Sequence, residues 1–250
     1  MISRTFASRL VAAVVLGAGA LSLHAQTDNR VLRFVPHANL AVLDPIWTTA
    51  YVTRNHAYMV YDTLFSEDAK GEIKPQMVDS HTVSSDRKTW TFTLRAGLEF
   101  HDGSPVTSAD VIASLKRWSS RDAMGGVLNG FIDRYEAVNA STFRIVLKEP
   151  TGILLDALGK ASSNVPFIMP ERIANTPGSE QIKETIGSGP FVFKADEFKP
   201  GVRAVYAKNP RYVSRKEPAS GMAGGRTVNF DRVEWVIIRD PQTQFNALKA

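Results

Sequence analysis

Alternating apolar and polar residues predict most of the strands in this chain. The clearest case spans residues 89–95, where Trp90, Phe92 and Leu94 alternate with polar residues at the period of two that is typical of a half-buried strand. Residues 142–148 alternate in the same way. Further strands are predicted over residues 31–35, 191–193, 202–207 and 233–238. The last of these is apolar on both faces, as expected of a central strand.

Apolar residues at helical spacing predict the helices. They recur along one face of residues 50–65, which indicates a helix there. A short helix is predicted over residues 151–158, and a final helix is predicted to start at Asp240-Pro241. Because strands and helices are mixed throughout, the predicted fold class is α/β or mixed α+β.

The residues after position 100 mark a turn and then a helix start. Asp102 and Gly103 stand at the centre of the predicted turn, because aspartate bonds nearby backbone and glycine accepts a positive φ. Thr107 follows, and Asp110 stands three residues further on, which is the pattern of a capping box. A helix is therefore predicted to begin at Thr107.

The first 25 residues have the pattern of a secretory signal. Arg4 and Arg9 form a positive start, residues 10–23 are uncharged and mostly apolar, and Ala25 fits cleavage before Gln26. An N-terminal membrane anchor is the alternative, but the apolar run is short for a membrane span, which needs about 20 residues. The mature protein is therefore expected to be soluble and exported to the periplasm.

Charge and cysteine content exclude several classes of protein. Removing Arg4 and Arg9 from the 30 basic residues leaves 28 against 25 acidic residues, a balance of +3. The basic residues are scattered, so no nucleic-acid partner is expected. The chain has no cysteine, which excludes a disulfide framework, a thiolate metal site and a cysteine nucleophile.

The histidines carry no metal or catalytic motif. None of them has the His-Glu-x-x-His spacing of a zinc site. His101 and Asp102 are adjacent, and a secreted hydrolase using this pair is an alternative function. Neighbours on an extended segment point to opposite sides, so a tight turn is the favoured interpretation. Accordingly, no catalytic residue, metal or cofactor is expected, and loss of activity on His101→Ala would support the hydrolase.

Seven segments, in order, resemble the family 5 extracellular solute-binding proteins, which are the dipeptide, oligopeptide and nickel binding proteins of ABC importers. The most specific segment is residues 94–111, with the sequence LRAGLEFHDGSPVTSADV. The others are LDP at 43–45, VYDTL at 60–64, KTWTFTLR at 88–95, GSGPF at 187–191, KNPRY at 208–212 and VIIRDP at 236–241. The resemblance covers essentially all of residues 30–250.

This resemblance implies a periplasmic binding protein type II-like fold, in which two lobes joined by a hinge close on a ligand. Residues 26–50 and 180–250 are expected to form the hinge-side sheet domain of the first lobe, and residues 51–179 its inserted domain. Family members continue into a second lobe, so this chain is expected to hold only the first lobe, incomplete.

The resemblance also implies ligand contacts, by matching position to motif. These are His37, Asn39, Thr49, Tyr51, Arg54, Arg121, Asp122, Ser163 and Asn164. Arg54 or Arg121 suits a carboxylate, and Tyr51 suits an apolar group. Asn39 and Asn164 suit peptide backbone, because an amide both donates and accepts. Solvated helix charges are the alternative for the two arginines.

The expected function is that of the periplasmic substrate-binding component of an ABC transporter. Its expected partners are a peptide or similar small organic ligand and the permease subunits, and a monomer is expected by analogy. The main alternative is a truncated remnant that binds nothing, because one lobe offers half a cleft and enclosure supplies most of the buried ligand surface.

Overall fold

The structure, a computed structural model, describes residues 30–249. The predicted secretory segment, its cleavage site after Ala25 and residue Ala250 lie outside the described residues. Within residues 30–249, no helix combines the length and apolar character needed to cross a membrane.

Strands and helices are mixed along the whole described chain, as predicted. In order they are β1 (Val31–Phe34), α1 (Tyr51–Val60), β2 (Asp62–Thr63), β3 (Phe65–Glu67), β4 (Ile73–Pro75), β5 (Val78–Val83), β6 (Thr89–Leu94), α2 (Ser108–Ser119), α3 (Ala123–Phe131), β7 (Ile132–Ala137), β8 (Thr142–Leu147), α4 (Leu154–Gly159), β9 (Phe167–Ile168), α5 (Glu171–Ala174), β10 (Phe191–Phe193), β11 (Arg203–Lys208), β12 (Arg232–Val236) and α6 (Pro241–Lys249).

The first sheet joins the start of the chain to its end. Its strand order is β1-β12-β11-β10, with β1 parallel to β12 and the other pairs antiparallel. The predicted central position of β12 is confirmed. The prediction that it is apolar on both faces is wrong, because Val233 and Trp235 are buried while Arg232 and Glu234 alternate with them and form an ion pair at 2.7 Å.

The second sheet is antiparallel throughout, with strand order β5-β6-β8-β7. The alternation predicted for β6 and β8 is confirmed, because Phe92, Phe143, Ile145 and Leu147 point into one core. That core also receives α2, α3 and α4, and we call it the second-sheet core.

Helix α2 begins as the capping-box pattern predicts. The Thr107 hydroxyl accepts from the backbone N–H of Asp110, and the Asp110 carboxylate accepts from the backbone N–H of Thr107 at 2.7 Å. In the turn before it, the Asp102 carboxylate accepts from the backbone N–H of Ser104, and Gly103 has a φ of 88°. Only glycine adopts such a φ readily, so the predicted turn is confirmed.

Helix α1 is shorter than its apolar spacing predicts. It ends at Val60, and residues 62–67 form short strands that pair with β9 and β4 instead. At this end the Val60 carbonyl accepts from the backbone N–H of Gly189 at 2.8 Å, and the absence of a side chain at Gly187 makes room for this close approach. Long-range pairing therefore overrides the local helical pattern after Val60.

A second cluster of buried apolar side chains lies on the first sheet, and we call it the first-sheet core. Val52 and Val60 of α1 pack there with Tyr206 and Trp235 of the sheet. Helix α1 thus packs with the first sheet although the predicted division assigns it to the inserted domain. The division into residues 26–50 with 180–250 and residues 51–179 stays a prediction.

Candidate ligand-binding cleft

A polar cleft of about 530 Å³ opens where three parts of the chain meet. These are the loop after β1, the end of α2 and the segment before β9, and the lining residues are Ile46, Trp47, Thr48, Thr49, Ser120, Arg121 and Asn164. The volume is in the range of small-molecule pockets. The cleft brings together three of the residues predicted to contact ligand, namely Thr49, Arg121 and Asn164.

Arg121 lies on the aromatic ring of Trp47. The central carbon of its guanidinium is 4.9 Å from the ring centroid, which is a cation–π distance. Arg121 is held there by its position just after α2, because its backbone N–H donates to the carbonyl of Trp118 at 3.0 Å. The end of one helix therefore places a cation against an aromatic residue of the loop after β1.

Asn164 holds the loop after β1 in place at the cleft. Its side-chain N–H groups donate to the carbonyls of Pro45 and Thr48, at 3.0 and 3.1 Å. Its own carbonyl accepts from the indole N–H of Trp118 at 2.7 Å. The residue is buried and shapes the loop, so any contact with a ligand would add to this structural role.

A buried ion pair lies beneath the cleft. Both terminal nitrogens of Arg117 donate to the Asp44 carboxylate, at 3.1 and 2.7 Å. Arg117 also donates to the carbonyls of Thr176 and Glu180, and Asp44 accepts from the backbone N–H of Ile182. One bidentate pair thus connects the loop after β1, helix α2 and the segment 176–182.

Arg54 and Tyr51 form a second cation–π pair, but they do not line the cleft. The Arg54 guanidinium carbon is 4.4 Å from the Tyr51 centroid. The same side chain donates to the hydroxyl of Ser162 and to the side-chain oxygen of Asn55, at 3.2 and 3.3 Å. Tyr51 is exposed on the first turn of α1.

The remaining predicted contacts are scattered. Asp122 is buried and caps α3 by accepting from the backbone N–H of Gly125, and its second oxygen accepts from Lys160 at 2.6 Å. Asn39 accepts from the backbone N–H of Gly201. His37 and Ser163 are exposed, and Ser163 has a φ of 63°. The ligand contacts predicted for these four residues stay predictions.

Sequence reasoning missed four residues of the cleft: Ile46, Trp47, Thr48 and Ser120. Trp47 lies outside every predicted strand and outside the apolar face of every predicted helix. A large aromatic residue without a predicted place in the core is a candidate for ligand contact, and this was the one signal in the sequence that pointed to Trp47. Thr48 and Ser120 flank residues that were predicted, and only the meeting of the two segments in space places them in one wall.

His101 and Asp102 face different neighbours. The His101 ring bonds the carbonyl of Gly189 at 3.1 Å, and the Asp102 carboxylate accepts from Arg172 at 3.0 Å. Burial lowers the pKa of His101 to about 4. The turn interpretation of these residues is therefore confirmed, since the imidazole is directed at backbone rather than at the carboxylate beside it.

A model of the bacterial extracellular solute-binding proteins, family 5 (middle region), matches residues 72–250. The chain belongs to this family. A "Probable peptide ABC transporter periplasmic-binding protein" of Sinorhizobium fredii is 46% identical over 248 residues, which cover 98% of this chain and 46% of the relative. A "Probable D,D-dipeptide-binding periplasmic protein" of Escherichia coli is 26% identical over 257 residues, covering 95% and 48%.

Solved structures of this kind share the fold. NikA from Brucella suis in complex with Fe(III)-EDTA has a TM-score of 0.71 and 26% identity, and the match covers 88% of this chain and 41% of NikA. AgaA from A. tumefaciens R10 in complex with agropinic acid has a TM-score of 0.68 and 27% identity, covering 88% and 42%.

This family 5 chain therefore has a type II-like periplasmic binding protein fold. It spans about half the length of the curated relatives it matches. Proteins of the family are solute-binding rather than enzymatic, and a periplasmic location follows from family membership.

Proposed function

We propose that the whole protein is the periplasmic substrate-binding component of an ABC importer. It captures peptides or similar small organic solutes and delivers them to the membrane permease. Family membership supports the role, and the names of the relatives in Sinorhizobium fredii and Escherichia coli support a peptide-like solute. The protein acts by binding and release and performs no chemistry on its ligand.

The polar cleft beside Trp47 carries this proposal. It combines an aromatic face, one cation and several neutral hydrogen-bonding groups, which are the groups that recognise a small polar solute. It is open on one side, so it provides one wall of a site whose other wall belongs to the remaining half of such proteins. Closure of the two walls would bury the ligand.

The other predicted contacts are proposed to act at the margin of this cleft. Tyr51 and Arg54 stand at the start of α1, just after Thr49, and Ser163 stands beside Asn164. His37 and Asn39 lie in the loop after β1, and Asp122 follows Arg121. We propose these residues as secondary contacts, whose substitution should weaken ligand binding less than substitution of the cleft-lining residues.

Export and organisation complete the proposal. The first 25 residues are a secretory signal cleaved after Ala25, and the mature protein works as a monomer. Residues 26–50 with 180–250 form the hinge-side domain and residues 51–179 the inserted domain. The permease subunits are the macromolecular partners.

Native mass spectrometry of the protein purified from its own periplasm tests the proposal. The expected result is a mature chain that begins at Gln26 and carries a small-molecule adduct. The adduct should be lost or much reduced in Asn164→Ala, because this change releases the loop carbonyls of Pro45 and Thr48. Lys70→Ala, on an exposed turn far from the cleft in sequence, should retain the adduct.

Two outcomes would contradict the proposal. One is absence of the protein from periplasmic extracts. The other is a purified protein that carries no adduct and is not stabilised against heat by any di- or tripeptide in a mixed library. A bound ligand stabilises the folded state by mass action, so a binding protein must show such a shift at ligand concentrations above its Kd.

A further inference from the structure

The longest connection without a helix or strand among the described residues joins β11 to β12. It runs from residue 209 to residue 231, and we call it the strap. Connections longer than about 15 residues are uncommon in compact folds, and those that are ordered are usually functional. The strap does not line the cleft beside Trp47, so that cleft gives no reason for its length.

Hydrogen bonds from two arginines hold the strap against the rest of the fold. Arg226 donates to the carboxylate of Asp62 at 2.9 Å, and the Asp62 side chain is 1% exposed. Arg215 donates through one terminal nitrogen to the carbonyls of Gln76 and Val78, at 3.0 and 2.8 Å. The strap is therefore an ordered part of the fold rather than a loose linker.

A pocket of about 300 Å³ lies between the strap and the β3–β4 hairpin, and we call it the strap pocket. The strap contributes Arg215, Glu217 and Ser220 to its wall, and the hairpin contributes Asp68 and Lys74. It shares no lining residue with the cleft. Its volume is at the lower end of small-molecule pockets, so it suits a ligand of few heavy atoms.

The two cations in the wall of the strap pocket already have carboxylate partners. Arg215 donates to both oxygens of Glu217, at 3.1 and 2.9 Å. The Lys74 ammonium donates to Glu72. Among the charged lining residues and their ion-pair partners, Asp68 therefore adds a third carboxylate against two cations. A ligand that carries one positive charge would balance this excess.

Asp68 has one carboxylate oxygen that the chain leaves open. Its Oδ1 accepts from the backbone N–H groups of Lys70 and Glu72, at 2.8 and 3.0 Å. Its Oδ2 lies 4.0 Å from the Lys74 ammonium, which is longer than a hydrogen bond. The Asp68 side chain is only 9% exposed, so the wall of the strap pocket covers most of it. A donor inside the pocket could bond this oxygen.

Gln76 supplies a second acceptor behind the strap pocket. The residue is fully buried, and its side-chain N–H donates at 3.3 Å to the carbonyl of Gly224, which lines the pocket. Pro75, its neighbour in sequence, also lines the pocket. The side-chain oxygen of Gln76 is buried and has no hydrogen-bond partner among the described residues. A buried acceptor without a donor is unfavourable, so a donor that enters the pocket would stabilise it.

We infer that the strap pocket binds a short primary alkylammonium ion. Its N–H groups donate to the open oxygens of Asp68 and Gln76, and the bond to the carboxylate is charge-assisted. Its carbon chain packs on Pro75, Pro218 and Ala223, which form the apolar part of the wall. This site is separate from the proposed solute-binding cleft and takes a different class of ligand.

Titration of the ¹⁵N-labelled mature protein with propylammonium chloride tests this site. The readout is the side-chain amide signal of Gln76, which is identified by its loss in Gln76→Met. A saturable shift in the millimolar range is expected, because a ligand of so few heavy atoms makes few contacts. Tetramethylammonium chloride has the same charge but no N–H group, and it should give no saturable shift.

Two variants separate the contributions of the two acceptors. Asp68→Asn should weaken propylammonium binding by at least about tenfold, because it removes the charge but keeps an oxygen for the two backbone N–H groups of the turn. Gln76→Met, followed through the backbone amide of Gly224, should weaken binding about two- to tenfold, since a neutral hydrogen bond is lost.

Asp133→Asn is the matched control. It removes an exposed carboxylate from β7, which lies at the opposite edge of the second sheet from β5, and it should leave the affinity unchanged.

Three results would each overturn the assignment: equal shifts with propylammonium and tetramethylammonium, no saturable shift with propylammonium, or an unchanged affinity in Asp68→Asn. The comparison of the two cations needs no substitution, so it decides the question even if Asp68→Asn does not fold. Failure here would leave the proposed function standing, because the strap pocket and the cleft share no lining residue.

Discussion

A central strand of the second sheet and an edge strand of the first bury their apolar residues to very different extents. In β8 of the second sheet, Phe143 and Ile145 are fully buried beneath α2 and the neighbouring strands. In β1 of the first sheet, Leu32 and Phe34 are 38% and 46% exposed. Alternation along a strand therefore predicts which residues share a face, whereas burial requires another element to cover that face.

The position of each strand in its sheet accounts for part of the difference. Strand β8 lies between β6 and β7, while β1 pairs only with β12 among the described strands. Helix α6, which follows β12, also exposes Phe245 and Leu248. The second sheet is covered by helices that form the second-sheet core with it. The apolar residues of the first sheet are covered mainly where α1 packs on it.

The largest effect should come from breaking the ion pair that joins the two regions. The side chains of Arg117 and Asp44 are 2% and 0% exposed, so Arg117→Ala leaves a buried carboxylate without its partner. We expect a loss of about 3–5 kcal/mol in the free energy of unfolding, measured by urea denaturation.

A paired substitution checks the cause of that loss. The double variant Asp44→Leu with Arg117→Met removes both charges and should be clearly more stable than Arg117→Ala, because no unpaired charge remains. If the single and double variants were equally unstable, lost packing rather than an uncompensated charge would explain the effect.

Replacing one phenylalanine by alanine in each sheet measures directly how much the burial of these two strands differs. Phe143→Ala should cost about 3 kcal/mol or more, because it leaves a cavity beside Phe92 in the second-sheet core. Phe34→Ala should cost less than about 1 kcal/mol, because nearly half of that side chain is already in water. Similar losses in urea denaturation would mean that β1 is covered in solution.

Acid should destabilise the fold through His56, which packs on Phe193 and Tyr206 of the first sheet. Burial lowers the pKa of His56, on α1, to about 3, whereas its value in the unfolded chain is near 6.5. The unfolded state therefore binds the proton more readily between these pH values. Stability is complete above about pH 6.5 and falls by up to about 1.4 kcal/mol for each unit of pH below it, down to about pH 3.

His56→Gln should flatten this pH dependence. The measurement is the slope of the unfolding free energy against pH between pH 4 and 6.5. The substitution also breaks the hydrogen bond between His56 and Tyr206, but the stability lost in this way is the same at every pH and does not change the slope. Part of the slope should persist through His101, whose pKa burial lowers to about 4.

The smallest effects should come from the helix starts. Thr107→Ala removes the capping-box hydroxyl of α2 and should cost about 1 kcal/mol, while Thr107→Ser should restore most of it. Helix α1 begins after Ala50, which has no capping side chain, so Ala50→Ser should gain about 0.5 kcal/mol. The midpoints of urea denaturation, compared between variants whose unfolding curves have the same slope, measure both changes. If Thr107→Ala left the stability unchanged, tertiary contacts alone would hold α2 in place.

Local patterns predicted a strand for each of the four strands of the first sheet, but only β6 and β8 of the second. The alternation in β6 and β8 and the capping box at Thr107 are confirmed, because each depends on neighbours within a few residues. The predicted helix over residues 50–65 ended early, since β2 and β3 find partners far along the chain. Of the candidate site, residue types were predictable, but the grouping of Arg121 with Trp47 was not.

By itself, the sequence determined the fold class, the order of most elements and membership of the solute-binding family, because periodicity, caps and family motifs are local properties of the chain. Only the tertiary structure decided which residues form the cleft. Trp47, Arg121 and Asn164 come from three separate segments, and they meet because the Asp44–Arg117 pair and the Asn164 amide hold those segments together. Contacts between distant segments depend on packing and buried charge, and neither is encoded in the spacing of nearby residues.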